Sequence, residues 1–259
     1  MTLLWPAGAA RGAIGFHSCP KLRGTDFRCA SIQAPLDYSG QAKGSLTLDV
    51  RLLKAVGTRR GTMVTLSGGP GQAGIGDPSY DVYLRSLMRG WDVIELDQRG
   101  TGARALRCPT LDKLDVDIQQ ITAADLTQRY VQCAAALGPN RRFYTSIDSA
   151  RDIDALRVQL GLEKIAIGGT SYGTFVTQMY ARLFPQRVDR MLLDSVVPPQ
   201  GVQAIYLDSF AASRRILAAQ CAGRRCQGIT SDLSGDIGRL QQEMLEAPLT
   251  GRRVARLGR

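Results

Sequence analysis

Short apolar runs alternate along this chain with longer stretches in which apolar residues recur every three or four positions. The short runs predict strands and the longer stretches predict helices. Strands are expected at 29–36, 46–53, 62–66, 91–96, 165–167 and 188–194, and helices at 80–88, 123–137, 148–160, from 175 onward, at 202–221 and at 237–245. Because strand and helix alternate through the middle of the chain, we predict an α/β protein with a doubly wound, mostly parallel sheet, led by an N-terminal antiparallel hairpin.

The strand expected at 46–53 shows the clearest alternation of apolar and polar positions. Leu48, Val50 and Leu52 fall on one side of it, because successive side chains of a strand point to opposite faces. We therefore expect this strand to have one covered face.

The strand at 165–167 runs directly into a turn and then a helix, and the turn reads Gly169-x-Ser171-x-Gly173. A serine at such an elbow has a strained backbone that pushes its hydroxyl above the sheet edge, and the flanking glycines avoid a clash of Cβ with neighbouring backbone. The helix that follows offers free N–H groups and a partial positive charge to a developing oxyanion. Ser171 is thus a candidate nucleophile; the alternative is a chance match in a glycine-rich chain.

Two glycine-rich loops follow predicted strands. The first spans 67–74, and its backbone N–H groups are suited to face a ligand. A plain flexible connection is the alternative, and no G-x-G-x-x-G spacing supports a dinucleotide site. The second spans 97–102, at the end of a strand where open α/β sheets place functional residues. For Asp97 and Arg99 we expect a structural ion pair that braces the turn rather than a direct role in chemistry.

A net charge of +10 over 259 residues raises the question of a nucleic-acid partner. The arginines are scattered and no nucleic-acid-binding motif accompanies them, so we expect no such partner. No apolar run approaches the ~20 residues needed to cross a bilayer, so we expect no membrane span. The first ten residues are small and apolar but lack a basic segment, which makes them a poor signal peptide or the remnant of one.

Six cysteines fall into three pairs that are close in sequence: Cys19 with Cys29, Cys108 with Cys133, and Cys221 with Cys226. This arrangement favours three disulfides and an oxidising compartment, which means a secreted protein or the exterior of the cell envelope. Six reduced, buried thiols are the alternative. No C-x-x-C spacing is present and the single histidine, His17, is distant from most cysteines in sequence. We therefore expect no metal site and no cofactor.

The chain carries three motifs in an order that resembles α/β-hydrolases of the prolyl iminopeptidase and tripeptidyl aminopeptidase branch: Ser67-Gly68-Gly69-Pro70-Gly71, Asp97-Gln98-Arg99-Gly100-Thr101-Gly102 and Gly169-x-Ser171-x-Gly173. The resemblance extends from about residue 15 to residue 197, although the first motif of the family usually begins with histidine. It implies that Ser171 is the nucleophile and that the backbone N–H groups of Tyr172 and Gly69 form the oxyanion hole. It also implies a peptide substrate, cleaved near a free N-terminus through an acyl-enzyme. The secreted actinobacterial members are similar in carrying local cysteine pairs.

The catalytic base is the part of this resemblance that the sequence does not contain. In α/β-hydrolases the acid and then the histidine follow the serine, but His17 precedes Ser171 and no histidine follows it. Asp194 ends a strand before the position of the family's acid. The acidic residues of the following helices are more simply solvated positions: Asp208, Asp232 and Asp236.

We therefore expect a hydrolase that is C-terminally truncated. Residues 1–197 would form the N-terminal part of the core, and residues 198–259 the start of an incomplete helical cap. Such a chain would be nearly inactive alone, would expose the strand at 188–194 as a sheet edge, and would depend on a complementing C-terminal fragment. An esterase or acyltransferase on the same fold, and a non-catalytic relic or binding module, are the alternatives.

Overall fold

Seven strands form one sheet in the computed structural model of this chain. They are β1 (His17–Ser18), β2 (Phe27–Pro35), β3 (Ser45–Leu53), β4 (Gly61–Leu66), β5 (Trp91–Leu96), β6 (Ile165–Thr170) and β7 (Val188–Asp194). Their order across the sheet is β1-β2-β3-β5-β4-β6-β7. The first three strands pair antiparallel, while β5, β4, β6 and β7 run parallel. The predicted hairpin and parallel sheet are confirmed.

The described residues also form six α-helices. They are α1 (Pro109–Asp112), α2 (Ala123–Leu137), α3 (Ser146–Gln159), α4 (Tyr172–Leu183), α5 (Gln203–Gln220) and α6 (Leu233–Glu246). Short 3₁₀ turns lie at Gly102–Arg104, Pro139–Phe143, Pro185–Arg187 and Ala222–Arg224. Thr122 and Thr145 cap α2 and α3, each accepting a backbone N–H with its side chain, so hydroxyl residues set where these helices begin.

The structure describes residues 14–19, 27–76, 88–112, 121–199 and 203–247, with side chains of α5 from residue 212. The helix expected at 80–88 therefore lies outside the described residues apart from Met88. The chain divides into two compact units, Met1–Pro199 and Gln200–Arg259. That the second unit begins a cap stays a prediction.

The core of the first unit lies on the central strands and on the helices packed against them. Ile167 of β6, Val64 of β4, Leu96 of β5 and Leu156 of α3 all belong to one cluster of buried apolar side chains. Burial of such side chains is the dominant favourable contribution to folding.

The strand β3 differs from the expectation of one covered face. Leu48, Val50 and Leu52 are buried as predicted, but Arg51 and Leu53 on the opposite face are also buried. Arg51 is accommodated there because its Nε donates to Glu95 Oε2 at 2.6 Å and its guanidinium lies over the ring of Phe27. The face of β3 that the alternating pattern predicts to be exposed is therefore buried, and it holds an arginine that is both ion-paired and stacked on an aromatic ring.

The outermost strand on the other side of the sheet is β7, which pairs only with β6 among the described residues. Its burial is low along most of its length, and Met191 and Leu192 are 41% and 54% exposed. Within the described residues, 188–194 thus lies at an edge of the sheet.

The three disulfides predicted from sequence are confirmed: Cys19–Cys29, Cys108–Cys133 and Cys221–Cys226. All six cysteines of the chain are therefore paired. Within the described ranges, no helix has the length and apolar character needed to cross a bilayer, and no cluster of potential metal ligands occurs.

Candidate active site

The candidate site lies at the carboxyl ends of β4 and β6, which are adjacent parallel strands. The loop after β4 lies directly against the elbow after β6, since a Cβ built on Gly68 would stand 3.1 Å from the Cβ of Ser171. The parallel pairing thus brings together two motifs that are about a hundred residues apart in sequence.

Ser171 has an unusual backbone conformation, with φ 53° and ψ −121°. A non-glycine residue in this region is strained, and such strain persists only where the surrounding structure enforces it. The N–H of Ser171 donates to the carbonyl of Asp194 at 2.9 Å. Ser171 occupies the N-cap position of α4, yet its side chain makes no capping hydrogen bond. Its hydroxyl is therefore not used to begin the helix.

The two glycines of the elbow have no room for a side chain. A Cβ on Gly169 would come within 2.3 Å of the backbone of Gly173, and a Cβ on Gly173 would come within 2.5 Å of the carbonyl oxygen of Leu66. These approaches explain why the turn needs glycine at both positions and how β6, α4 and the end of β4 pack so closely.

The two expected oxyanion donors belong to different elements. Tyr172 is the first residue of α4, and its phenol oxygen lies 2.8 Å from the hydroxyl oxygen of Ser146. Gly69 lies in the loop after β4, with φ 103° and a cis peptide bond to Pro70. The roles of both backbone N–H groups, like that of Ser171, stay predictions at this point.

The acidic and basic candidates do not form a triad with Ser171 in the described residues. His17 lies on β1, five strands away from β6 in the sheet; at about 4.8 Å per strand this is ~24 Å. The side chain of Asp194 is exposed and accepts from the hydroxyl of Ser195 at 3.1 Å. In the second unit, Asp232 caps α6 and Asp236 pairs with Arg239. The side chain of Asp208 is not among those that the structure describes.

The expected ion pair between Asp97 and Arg99 is wrong. Asp97 instead accepts the N–H of Ile75 at 2.9 Å, and burial, partly offset by backbone N–H donors, raises the pKa of its carboxyl. Arg99 forms a bidentate pair with Asp152 of α3, with both contacts at 2.7 Å. Each side chain of that pair is 1% exposed.

Asp152 and Tyr38 are structural partners that the sequence analysis missed. The hydroxyl of Tyr38 donates to Asp152 Oδ1 at 2.7 Å, and burial, followed by the negative charge of Asp152, raises the pKa of Tyr38. Arg99 also donates to the carbonyl of Leu36 at 3.1 Å. The network ties the second glycine loop to α3 and to the hairpin, so Arg99 braces the turn as expected, through a different carboxylate.

Comparisons with known proteins agree with this architecture. Residues 61–217 match the α/β hydrolase fold family. The chain is 29% identical over 218 residues to a tripeptidyl aminopeptidase of Streptomyces coelicolor, covering 74% of this chain and 40% of that protein. It is 30% identical over 190 residues to the serine protease Hip1 of Mycobacterium tuberculosis, covering 67% and 36%. It is 29% identical over 191 residues to carboxylesterase B of M. tuberculosis, covering 66% and 36%.

The chain therefore spans about 40% of the length of the first of these relatives and less of the others. The resemblance to tripeptidyl aminopeptidases is confirmed by the similarity in sequence. With the fold and a family match over more than half of its residues, the chain belongs to the α/β hydrolase fold family.

Proposed function

We propose that this chain carries the nucleophile of a serine hydrolase of the aminopeptidase type, and that Ser171 is that nucleophile. The observation that carries the proposal is the strained backbone of Ser171 at the end of β6, next to the glycine loop after β4. A strained serine whose hydroxyl is not used as a helix cap fits the geometry of a nucleophile elbow.

In the proposed reaction, Ser171 Oγ attacks the carbonyl carbon of an amide and its proton passes to a general base. The carbonyl oxygen becomes an oxyanion, which the N–H groups of Tyr172 and Gly69 would stabilise. The tetrahedral intermediate then expels the amine, which takes up the proton, and water hydrolyses the acyl-enzyme. The tripeptidyl aminopeptidase relatives support a peptide substrate that is cleaved near its free N-terminus.

We propose that the general base comes from outside these 259 residues, for example from a complementing C-terminal segment. The support is positional: the single histidine, His17, is five strands from β6. Loss of the base in a serine hydrolase lowers turnover by roughly a millionfold and leaves about a thousandfold over water from the oxyanion hole and binding. We therefore expect little peptidase turnover from this chain alone.

A test of Ser171 that needs no base is the variant Ser171→Cys. Because all six native cysteines are paired, the introduced thiol would be the single free one. The start of α4 and the oxyanion donors would stabilise its thiolate, so its pKa, measured from the pH dependence of alkylation by iodoacetamide, should lie well below the ordinary value of about 8.5. Ser45→Cys, at an exposed position of β3, is the matched control.

A second measurement uses the native serine. A fluorophosphonate probe with added imidazole as an external base should modify the wild-type chain and not Ser171→Ala, as measured by intact mass. A pKa for the introduced thiol equal to that of the control, together with no adduct on the wild-type chain, would contradict the nucleophile and favour a non-catalytic relic or binding module.

An esterase is the second candidate function, because carboxylesterase B of M. tuberculosis is also similar to this chain. The fold does not fix the substrate. With imidazole as base, acylation of Ser171 by a p-nitrophenyl ester and by a peptide p-nitroanilide can be compared. Aminopeptidase specificity predicts that the anilide needs a free N-terminus, whereas an esterase would show acylation by the ester alone.

The proposed compartment is an oxidising one, either outside the cell or at the exterior of the cell envelope. Its support is the set of three disulfides, one of which lies in the second unit, since such bonds persist mainly in oxidising environments.

A further inference from the structure

We propose that Thr174 is a positioning residue that aims the N–H of Tyr172 at the place where the oxyanion forms, acting through the carbonyl of Ser171. This inference rests on the proposed function of Ser171 and names what sets the direction of its oxyanion donor. Thr174 lies in the first turn of α4 and is completely buried.

The hydroxyl of Thr174 is used both as a donor and as an acceptor. It donates to the carbonyl oxygen of Ser171 at 2.6 Å and accepts the N–H of Val197 at 2.8 Å. A threonine hydroxyl has one proton, and the N–H of Val197 occupies its acceptor side, so the proton is directed to Ser171. The backbone N–H of Thr174 donates to the same carbonyl at 2.9 Å.

The carbonyl of Ser171 and the N–H of Tyr172 are the two ends of one peptide group. In the described residues the cis bond is at Gly69–Pro70, so this group is trans, and a trans planar peptide points its N–H away from its C=O. Two donors that hold the carbonyl therefore also fix the direction of the N–H. Donation to the carbonyl polarises the amide as well, which makes its N–H a stronger donor.

Thr174 is itself held by the segment that follows β7. Gln178 Nε2 donates to the carbonyl of Val197 at 2.9 Å and to that of Thr174 at 3.0 Å. Val197 is 8% exposed, whereas its neighbour Val196 is 53% exposed. The chain after β7 is thus fastened to α4 at the residue that contacts Thr174, and together they support the strained conformation of Ser171.

The chain offers a matched control one turn further along α4. Thr177 is also completely buried, but its hydroxyl has no hydrogen-bond partner in the described structure. Replacing Thr177 by valine removes a hydroxyl from the same helix without touching the peptide between Ser171 and Tyr172.

The experiment places Thr174→Val, Thr174→Ser and Thr177→Val in the Ser171→Cys protein and measures the pKa of the introduced thiol by the pH dependence of alkylation. Thr174→Val should raise that pKa by about one unit, because a misdirected N–H stabilises the thiolate less. Thr174→Ser keeps the hydroxyl and should restore the starting value, and Thr177→Val should not change it. With native Ser171, Thr174→Val should slow fluorophosphonate modification roughly tenfold to a hundredfold, approaching the loss of an oxyanion donor.

The outcomes separate the two proposals. If the thiol of Ser171→Cys has an ordinary pKa before any change at Thr174 and the wild-type chain gives no fluorophosphonate adduct, the proposed function fails. If only the pKa is ordinary, equal rates of fluorophosphonate modification in the wild type and in Thr174→Val would show that the positioning role of Thr174 is wrong. If that pKa is depressed and Thr174→Val leaves it unchanged in folded protein, or if Thr177→Val raises it equally, the positioning role of Thr174 is wrong. Should Thr174→Val not fold, Thr174→Ala removes the same hydroxyl with a smaller side chain and gives the same comparison against Thr174→Ser.

Discussion

The neighbouring strands β6 and β7 both contain apolar runs, but their burial is opposite. Ile167 of β6 is completely buried, whereas Met191, its partner in the register of the parallel pair, is 41% exposed. A short apolar run predicts a strand in both cases, but its burial depends on what covers each face. The difference teaches that apolar runs identify both strands, whereas the burial of an apolar residue such as Met191 depends on the structure around it.

The same contrast applies to the charged pairs on the two sides of β6. Toward the hairpin, Arg99 and Asp152 form a pair whose side chains are each 1% exposed. On β7, Arg190 and Asp189 form a pair whose side chains are 64% and 42% exposed. One ion pair is buried and the other is exposed. Loss of one partner should therefore change the free energy of unfolding much more in the buried pair than in the exposed pair.

The largest effect is expected from Asp152→Ala, which should lower the free energy of unfolding by ~3–5 kcal/mol because it leaves the guanidinium of Arg99 buried without its carboxylate. Asp189→Ala, the matched change at the edge, should lower it by at most about 0.5 kcal/mol. Urea denaturation followed by circular dichroism measures both. Equal losses in the two variants would show that the two sides of β6 do not differ in this way.

The next effect compares the two strands directly. Ile167→Ala should lower the free energy of unfolding by ~2–4 kcal/mol, because it leaves a cavity in the core. Met191→Ala removes a half-exposed side chain and should lower it by less than about 1 kcal/mol. The same urea titration applies, and a cost at Met191 close to that at Ile167 would mean that β7 is covered in solution.

A smaller effect on stability is expected from Leu192→Lys, since its side chain is 54% exposed on β7. The free energy of unfolding should change by no more than about 0.5 kcal/mol, whereas self-association seen by sedimentation velocity should decrease, because a lysine on an edge strand opposes pairing with another chain. Val131→Lys, at a 58% exposed position of α2, controls for the added charge. Equal association of the wild type and both variants would indicate that the edge does not attract other chains.

The smallest effect concerns the hairpin side of the sheet and depends on pH. N–H donation from Ala42, together with the hydroxyl of Ser39, lowers the pKa of Asp37 from 3.8 to about 2. Because the folded pKa lies below the unfolded one, the stabilisation is present above the unfolded pKa and is lost as the pH falls toward about 2. Asp37→Asn should therefore reduce the slope of stability against pH on the acid side, measured by urea denaturation at several acidic pH values. An unchanged slope would contradict this assignment.

Local pattern was sufficient for most of the fold. The expected strands at 91–96 and 188–194 and the helix at 123–137 have the observed bounds, because each is an apolar or amphipathic segment between clear turn or capping signals. The turn around Ser171 was also predictable, because Gly169-x-Ser171-x-Gly173 lies between an apolar run and a helical pattern. The structure gives the physical reason for the two glycines, since a Cβ at either one would collide with adjacent backbone.

The missed features are contacts between residues that are distant in sequence. Arg99 was assigned to Asp97, two positions away, but its partner Asp152 is 53 positions away on a helix that is buried on nearly all sides. Thr174 and Val197 are 23 positions apart, and nothing in the local sequence of either indicates the other. Charged and polar residues lie on both sides of Asp152 in the sequence of α3, so the local pattern gives no signal that this carboxylate is buried and needs a partner.

The disulfides close rings of short span, with sequence separations of 10, 25 and 5 residues. No ring spans from the hairpin to the elbow, so we expect the central sheet to assemble without these covalent links. Short rings also restrict the unfolded chain less than long ones do. We therefore expect a mild reductant to loosen the chain near each ring while the strands around Ser171 keep their arrangement, and expression in a reducing host followed by air oxidation to give the same pairing.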